Sequence, residues 1–257
     1  MTPLFEITSL SFDVPGRRLL HDLTLSLPAG QVVGLLGHNG SGKSTLLNHL
    51  ARHLTQSEGR IHFEGRDLRD WPARDFARRL AYLPQHLPAA AGMLVEELVA
   101  LGRYPWHGPL GRPGPDDRAA IDHAITSCGL DPLRGRQVDT LSGGEAQRVW
   151  LAMLIAQEAG CLLLDEPISA LDISHQVDVL SLVHSFCHEK SRSVIVVLHD
   201  LNMAARFCDH IVAMHSGRVA FQGDPGDFMT TQTLSQIYGA PMEILTRADG
   251  SPVALPA

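Results

Sequence analysis

Nowhere does this 257-residue chain approach the roughly 18 consecutive apolar residues that a membrane-spanning helix requires, so by itself it is expected not to cross a bilayer. Its opening MTPLFEITSL has neither the basic start nor the apolar stretch of a secretion signal, which points to the cytoplasm. A block rich in Lys and Arg is also missing. With 28 acidic against 21 basic residues and a formal charge of −7, the chain has no electrostatic footprint for a phosphate backbone, and nucleic acid is not expected as a partner. Cys128, Cys161, Cys187 and Cys208 show no CxxC spacing, and the 14 histidines no HExxH. Neither a disulfide framework nor a zinc site is expected, and the thiols read as small buried hydrophobes. Repeats, low-complexity tracts and heptads are absent as well.

What is present is a folded composition, 44% hydrophobic, with glycine and proline spread along the chain. Unalternating apolar runs recur at QVVGLLG (31–37), CLLLDE (161–166) and SVIVVLHD (193–200), as in parallel strands buried on both faces. Each precedes a helical segment: Lys43 to about His53, Ile173 to about Glu189, and Leu201 to about Cys208. This βα repetition predicts an α/β core with a mostly parallel sheet. FEITSLSFDV, RLLHDLTLSL and GRIHFEG alternate and are broken by PGR and PAG, which predicts an antiparallel β region at the amino terminus. Between Gln85 and Leu141 the pattern turns helical, at MLVEELVALGR and DDRAAIDHAITSCGL, with YPWHGPLGRPGPD read as a loop between them. The expected organisation is one domain over 1–257. Residues 1–84 and 160–257 form its core and 85–159 an inserted helical subdomain, followed by a hairpin, one or two short helices and a loose last ten residues.

GHNGSGKS, Gly37 to Ser44, fits G-x-x-x-x-G-K-[ST] after an apolar strand and before an amphipathic run. Its glycines let backbone N–H groups wrap a phosphate, and the next helix turns its positive end toward the same anion. Gly37, His38, Asn39, Gly40, Ser41, Gly42, Lys43, Ser44 and Thr45 are therefore the candidate ATP-binding residues. Lys43 is assigned to the β- and γ-phosphates and Ser44 to Mg²⁺. CLLLDE ends in two carboxylates: Asp165 for the Mg²⁺ shell, and Glu166 as general base for the attacking water, unless both merely cap the following helix. His199 closes the next apolar strand, where it can bond both γ-phosphate and water.

A second Ser-Gly-Gly turn, at Ser142, Gly143 and Gly144, immediately precedes EAQRVWLAMLIAQ. It is either a plain helix cap or a second phosphate site. One nucleotide already surrounded by its own loop has no use for it. The economical solution is a head-to-tail dimer in which Ser142, Gly143, Gly144 and the adjoining Glu145 grip the γ-phosphate held by the other copy.

The loop at 37–44, Gln85 after AYLP, LSGGE at 141–145, CLLLDE at 161–166, SALD at 169–172 and His199 occur in an order and spacing that resemble the ATP-binding-cassette ATPases over nearly the whole chain. The resemblance implies that Gln85 joins Mg²⁺ and water to the helical subdomain, that Asp172 lies on the dimer interface, and that the Ser142 turn acts in trans. One position departs from the pattern. Val14 stands where such proteins place an aromatic ring under adenine; Phe12, Arg17 or Arg18 are the candidates to replace it.

A single cassette without a span or a coiled coil resembles the separate ATPase subunit of an importer, at the cytoplasmic face of the inner membrane. Its implied partners are an integral-membrane permease and an extracytoplasmic siderophore-binding protein. A DNA-repair cassette would need a heptad insertion, a ribosome-acting one two cassettes, and a small-molecule kinase or GTPase would not explain LSGGE or SALD. VPGRRLLH, GRYPWHGPLGR, LSGGEAQRVWLAML and LDISHQVDVLSLVH look most like the ATPases of ferric-siderophore importers, of the ferric-hydroxamate (ferrichrome) kind above all, with catecholate siderophores, haem and vitamin B12 as alternatives. In RYPWHG, Trp106 either packs inward or joins Tyr104 in shaping the permease-docking surface.

Overall fold

The computed structural model describes residues 3–55, 58–108, 111–169, 171–189, 191–248 and 250–257. The chain opens with strands β1 (Phe5–Val14), β2 (Arg17–Leu27) and β3 (Val32–Leu36), then helix α1 (Lys43–Leu50). Next come β4 (Glu58–Phe63), β5 (Arg66–Asp67), α2 (Ala73–Arg79) and β6 (Leu80–Leu83). The middle is helical: α3 (Val95–Ala100), α4 (Tyr104–His107), α5 (Pro115–Ser127) and α6 (Gly143–Ala156). Alternation of strand and helix resumes with β7 (Cys161–Leu164), α7 (Ile173–Glu189), β8 (Ser193–Val197) and α8 (Leu201–Phe207). The tail holds β9 (His210–His215), β10 (Arg218–Gly223), α9 (Pro225–Phe228), α10 (Thr231–Tyr238), β11 (Met242–Thr246) and β12 (Pro252–Pro256).

These elements fall into two compact units, Met1–Asp70 with Phe186–Ala257, and Trp71–Ser185. In the first, the alternating amino-terminal runs form the expected antiparallel sheet, in the order β2-β1-β4-β5. Phe5, Ile7 and Leu10 of β1 point inward, with Phe5 4.8 Å from Phe63 of β4. The register slips between Ile7 and Leu10, where Ser9 has φ 50, a bulge that keeps both apolar side chains on one face. A second sheet runs β10-β9-β3-β8, with β3 parallel to both β8 and β9. Every residue of β3 and β8 is buried, which is why neither strand alternates.

The carboxyl terminus departs from expectation. Residues 248–257, read as loose, supply β12, which pairs with β11 from Met242↔Pro256 to Thr246↔Pro252. The reason is a side chain on α8: the Asn202 amide donates to the Ala254 carbonyl (3.2 Å) and accepts from its N–H (2.8 Å), satisfying the backbone of an edge strand.

In the second unit, β6 and β7 are parallel, and α6 is the apolar spine, burying Val149, Leu151, Ala152, Leu154 and Ile155. The expected insertion 85–159 lies within this unit, together with α2, β6, β7 and the part of α7 up to Ser185. The stretch read as a loop from Tyr104 is helical at its start. Pro105 sits in the first turn of α4, where its missing N–H has no helical partner to lose, and Pro115 does the same for α5; Pro109 and Leu110 lie outside the described residues. No described helix is long and apolar enough to cross a membrane. All four cysteines are buried thiols outside any disulfide, and burial pushes those of Cys128, Cys187 and Cys208 up to about 12.

Candidate functional site

In the first unit, the end of β3 delivers Gly37 onto the end of β9. Gly37 has φ 136, and a Cβ there would stand 2.2 Å from the Met214 carbonyl oxygen, so the loop admits only glycine. The loop closes through Ser41 N–H to His38 O (3.2 Å) and is held from outside by Gly217 N–H to Ser41 O (3.0 Å). Gly42, at φ 102, precedes α1, which has neither a side-chain cap nor an acidic residue in its first turn. A helix start of this kind turns the positive end of its dipole toward an anion. Lys43 is buried, and its ammonium donates to the carbonyls of Gly37 (2.9 Å) and His38 (3.1 Å). A buried cation beside an uncapped helix start fits the phosphates of ATP. Asn39 and Gly40 are exposed, Ser44 and Thr45 half-buried, and the His38 ring packs edge-on against His215, 4.9 Å between centroids. His199, in the same unit, follows β8 and is exposed; the next residue, Asp200, caps α8 by accepting from the N–H groups of Asn202 and Met203 at 2.8 and 2.9 Å.

In the second unit, Asp165 is buried and extends the β6–β7 pairing through its N–H to Leu83 O (2.9 Å). The next residue turns sharply: Glu166 has φ 51, a left-handed conformation that costs a non-glycine residue on the order of 1–2 kcal/mol. The turn places its carboxylate oxygen Oε2 2.8 Å from Gln85 Nε2, which donates to it. The structure thus joins Gln85 to the candidate base and leaves the Gln85 carbonyl oxygen for another partner. The Asp165 carboxylate and the Gln85 amide oxygen are donor types that Mg²⁺ takes, as is the hydroxyl of Ser44 in the first unit, so each residue by its chemistry suits that ion.

Ser142 is the N-cap of α6, as one of the two sequence readings required. Its hydroxyl accepts from Glu145 N–H (3.4 Å) and donates to Glu145 Oε2 (2.8 Å), while the Ser142 N–H donates to the same oxygen (2.9 Å). Those bonds from Ser142, its N–H first, hold the Glu145 carboxyl below the usual range. Asp172 is exposed, and its carboxylate accepts from His175 N–H (3.0 Å), Ser174 Oγ (2.8 Å) and His175 Nδ1 (2.8 Å), which lowers it to about 2. His175 also packs on Gly144: a Cβ added there would lie 3.1 Å from its Cδ2. No motif flagged His175; its only sequence signal was the LDISHQ stretch.

Of the candidates to replace the missing adenine ring, Phe12 packs edge-on against His49 (4.7 Å) and Arg18 is bound to Asp13 (2.8 Å); Arg17 is exposed, opposite Val14 in the β1–β2 pairing. The two aromatic residues of RYPWHG also separate. Trp106 is half-buried, with the guanidinium groups of Arg78 and Arg103 each 5.0 Å from its ring centroid, and its Nε1–H donates to Gln157 O (2.8 Å). Tyr104 stays 54% exposed. Sequence reasoning missed Arg103 altogether, because a single Arg in a helical stretch carries no pattern.

Residues 20–169 match the family model described as ABC transporter. The ferric enterobactin transport ATP-binding protein FepC of Escherichia coli K12 is 40% identical over 237 residues, 91% of this chain and 87% of the relative. The hemin import ATP-binding protein HmuV of Streptomyces coelicolor is 42% identical (89% and 81%), and the iron(3+)-hydroxamate import ATP-binding protein FhuC of Bacillus subtilis 38% (90% and 86%). A chain of an ABC transporter solved in an inward-facing conformation superposes with a TM-score of 0.86 at 24% identity, covering 99% of this chain and 98% of that one.

Proposed function

The chain belongs to the ABC transporter family, and from that premise we propose that it is the ATP-hydrolysing subunit of an importer of iron chelates, with ferric hydroxamate siderophores of the ferrichrome type as cargo. Three relatives at similar identity are named for ferric enterobactin, hemin and iron(3+)-hydroxamate, which supports the class. The hydroxamate choice rests on VPGRRLLH and GRYPWHGPLGR, stretches outside the ATP chemistry.

ATP binds with its phosphates in the loop Gly37–Thr45, where Lys43 neutralises them. Ser44, Asp165 and Gln85 would hold Mg²⁺, which would supply charge neutralisation of the phosphates. Glu166 takes the proton from a water that attacks the γ-phosphorus, as the bond to the ADP oxygen breaks; His199 hydrogen-bonds the γ-phosphate and that water. Ser142, Gly143 and Gly144 of a second copy, with Glu145 bracing Ser142, grip the same phosphate, and Asp172 lies on that dimer interface. Closure and reopening of the dimer drive a separate permease at the cytoplasmic face of the inner membrane, fed by an extracytoplasmic binding protein. Tyr104, at the edge of a groove of about 310 Å³ walled by Ala73, Ala77, Pro105 and Gly108, is where the permease docks.

The observation that carries hydrolysis is the Gln85–Glu166 contact, which aims an ionisable group out of a strained turn. Glu166→Gln is expected to bind ATP and accumulate as a dimer by light scattering while multi-turnover hydrolysis falls at least about 100-fold. Turnover at the wild-type rate removes Glu166 as the base. Uptake of labelled ferrichrome, beside ferric enterobactin and haem controls, in cells carrying the native permease with the wild type or Lys43→Ala, tests the cargo: loss of a control substrate with ferrichrome unaffected rejects the hydroxamate assignment.

A further inference from the structure

The imidazole of His175 touches two separate motifs at once. Its Nδ1 lies 2.8 Å from Asp172 Oδ1, and because a carboxylate only accepts, Nδ1 is the donor. On its other side the ring lies against Gly144: a Cβ there would come within 3.1 Å of Cδ2 and 3.2 Å of Cγ, so the Ser142 turn seats on the imidazole with little slack.

The Nδ1 bond is not needed to hold Asp172. The His175 N–H and the Ser174 hydroxyl already donate to that carboxylate, which would keep the first turn of α7 capped without the ring. Nor is the pair a major source of stability, because the two side chains are 39% and 66% exposed and such pairs contribute little. What the imidazole adds is a rigid link: displacement of Asp172 drags the ring, and the ring bears on Gly144.

We propose that His175 is a positioning residue that couples Asp172 to the Ser142–Gly144 turn of the same chain, so that the two elements offered to a second copy move together. This rests on the dimer reading above. With the link intact, a copy that meets its partner at Asp172 also sets its Ser142 turn for the partner's nucleotide.

The test uses the full-length chain in the Glu166→Gln background, with ATP-driven dimerisation followed by light scattering. If Glu166→Gln alone forms no dimer, the dimer reading fails, and the coupling proposal with it. If it dimerises, His175→Ala is expected to raise the ATP concentration for half-maximal dimerisation about ten-fold, with the thermal midpoint unchanged. His175→Asn supplies an N–H donor near the Nδ1 position but has no ring over Gly144, and is expected to behave like His175→Ala. An unshifted half-maximal ATP concentration in His175→Ala, or recovery of the wild-type value in His175→Asn, would overturn the proposal, the second by reducing the imidazole to a cap for Asp172.

Discussion

Replacing Arg103 by Met, which keeps the aliphatic volume and deletes the charge, is expected to destabilise the protein far more than an ordinary substitution. The side chain is 5% exposed and its guanidinium makes three polar contacts: Asp117 Oδ1 at 2.8 Å, Ala156 O at 2.7 Å and Glu158 Oε2 at 2.8 Å. Glu158 is 42% exposed and contributes a few tenths of a kcal/mol at most. The bond to Ala156 O is different in kind, since it places a cation on the last carbonyls of α6 and is worth about 1.5–3 kcal/mol. Asp117, 13% exposed, would keep only the Gly114 N–H, and breaking such a pair costs about 3–5 kcal/mol in all. At roughly 2–4 °C per kcal/mol for a chain of this size, the thermal midpoint should fall by about 6–20 °C.

The pH dependence adds a second arm. Arg103, then the Gly114 N–H, holds the Asp117 carboxyl below its ordinary value, so the stability it contributes is complete above about pH 4 and is lost as pH falls through the lower folded value. The gap between wild type and Arg103→Met should therefore narrow below about pH 4. Trp106, 5.0 Å from Arg103, gives an intrinsic fluorescence probe of local loosening. A midpoint shift under about 3 °C at neutral pH would refute the assignment of Arg103 as the fixed end of α6.

The candidate site stood out in the sequence wherever the backbone itself sets the spacing. A phosphate loop needs Gly37 and Gly42 at fixed distances from Lys43, and a strand end needs Asp165 and Glu166 together, so these stand out as strings. The buried strands were legible for the same reason, since β3 and β8 are covered on both faces and cannot alternate. Pairings across long separations left no such trace. The Gln85 to Glu166 bond spans 81 positions, and nothing local to either residue marks it. Asn202 holds β12 from 52 positions away, which is why the end of the chain looked unsupported in sequence yet is paired. Proline content misled at Tyr104–His107, because a proline that breaks a helix interior is favoured in a first turn.

Gly102→Ala is expected to lose about 1–3 kcal/mol in urea titration, since the added Cβ would meet the Met153 carbonyl oxygen on α6 at 2.1 Å; unchanged stability would contradict the packing of residues 101–103 on that helix. Asn202→Ala removes both bonds to Ala254, about 1 kcal/mol each, and should make residues 242–257 the first site of limited proteolysis, with an unaltered cleavage order as the contrary result. Arg17→Ala should weaken ATP binding about ten-fold in a fluorescent-nucleotide titration if its guanidinium replaces the missing ring, and equal affinity would end that idea. The last prediction concerns alkaline pH. Burial pushes the Tyr238 phenol up to about 12, against a smaller downward pull from the Gly37 backbone beside it, while the unfolded chain ionises near 10. A raised folded value means that the stability contributed by the neutral phenol is whole below about pH 10 and is lost as pH rises toward 12. The difference in phenolate absorbance between wild type and Tyr238→Phe should therefore be silent at pH 10 and emerge only near 12 or together with unfolding. A phenolate signal at pH 10 from the folded protein would show that solvent reaches Tyr238, and that α10 does not cover Gly37 as the structure has it.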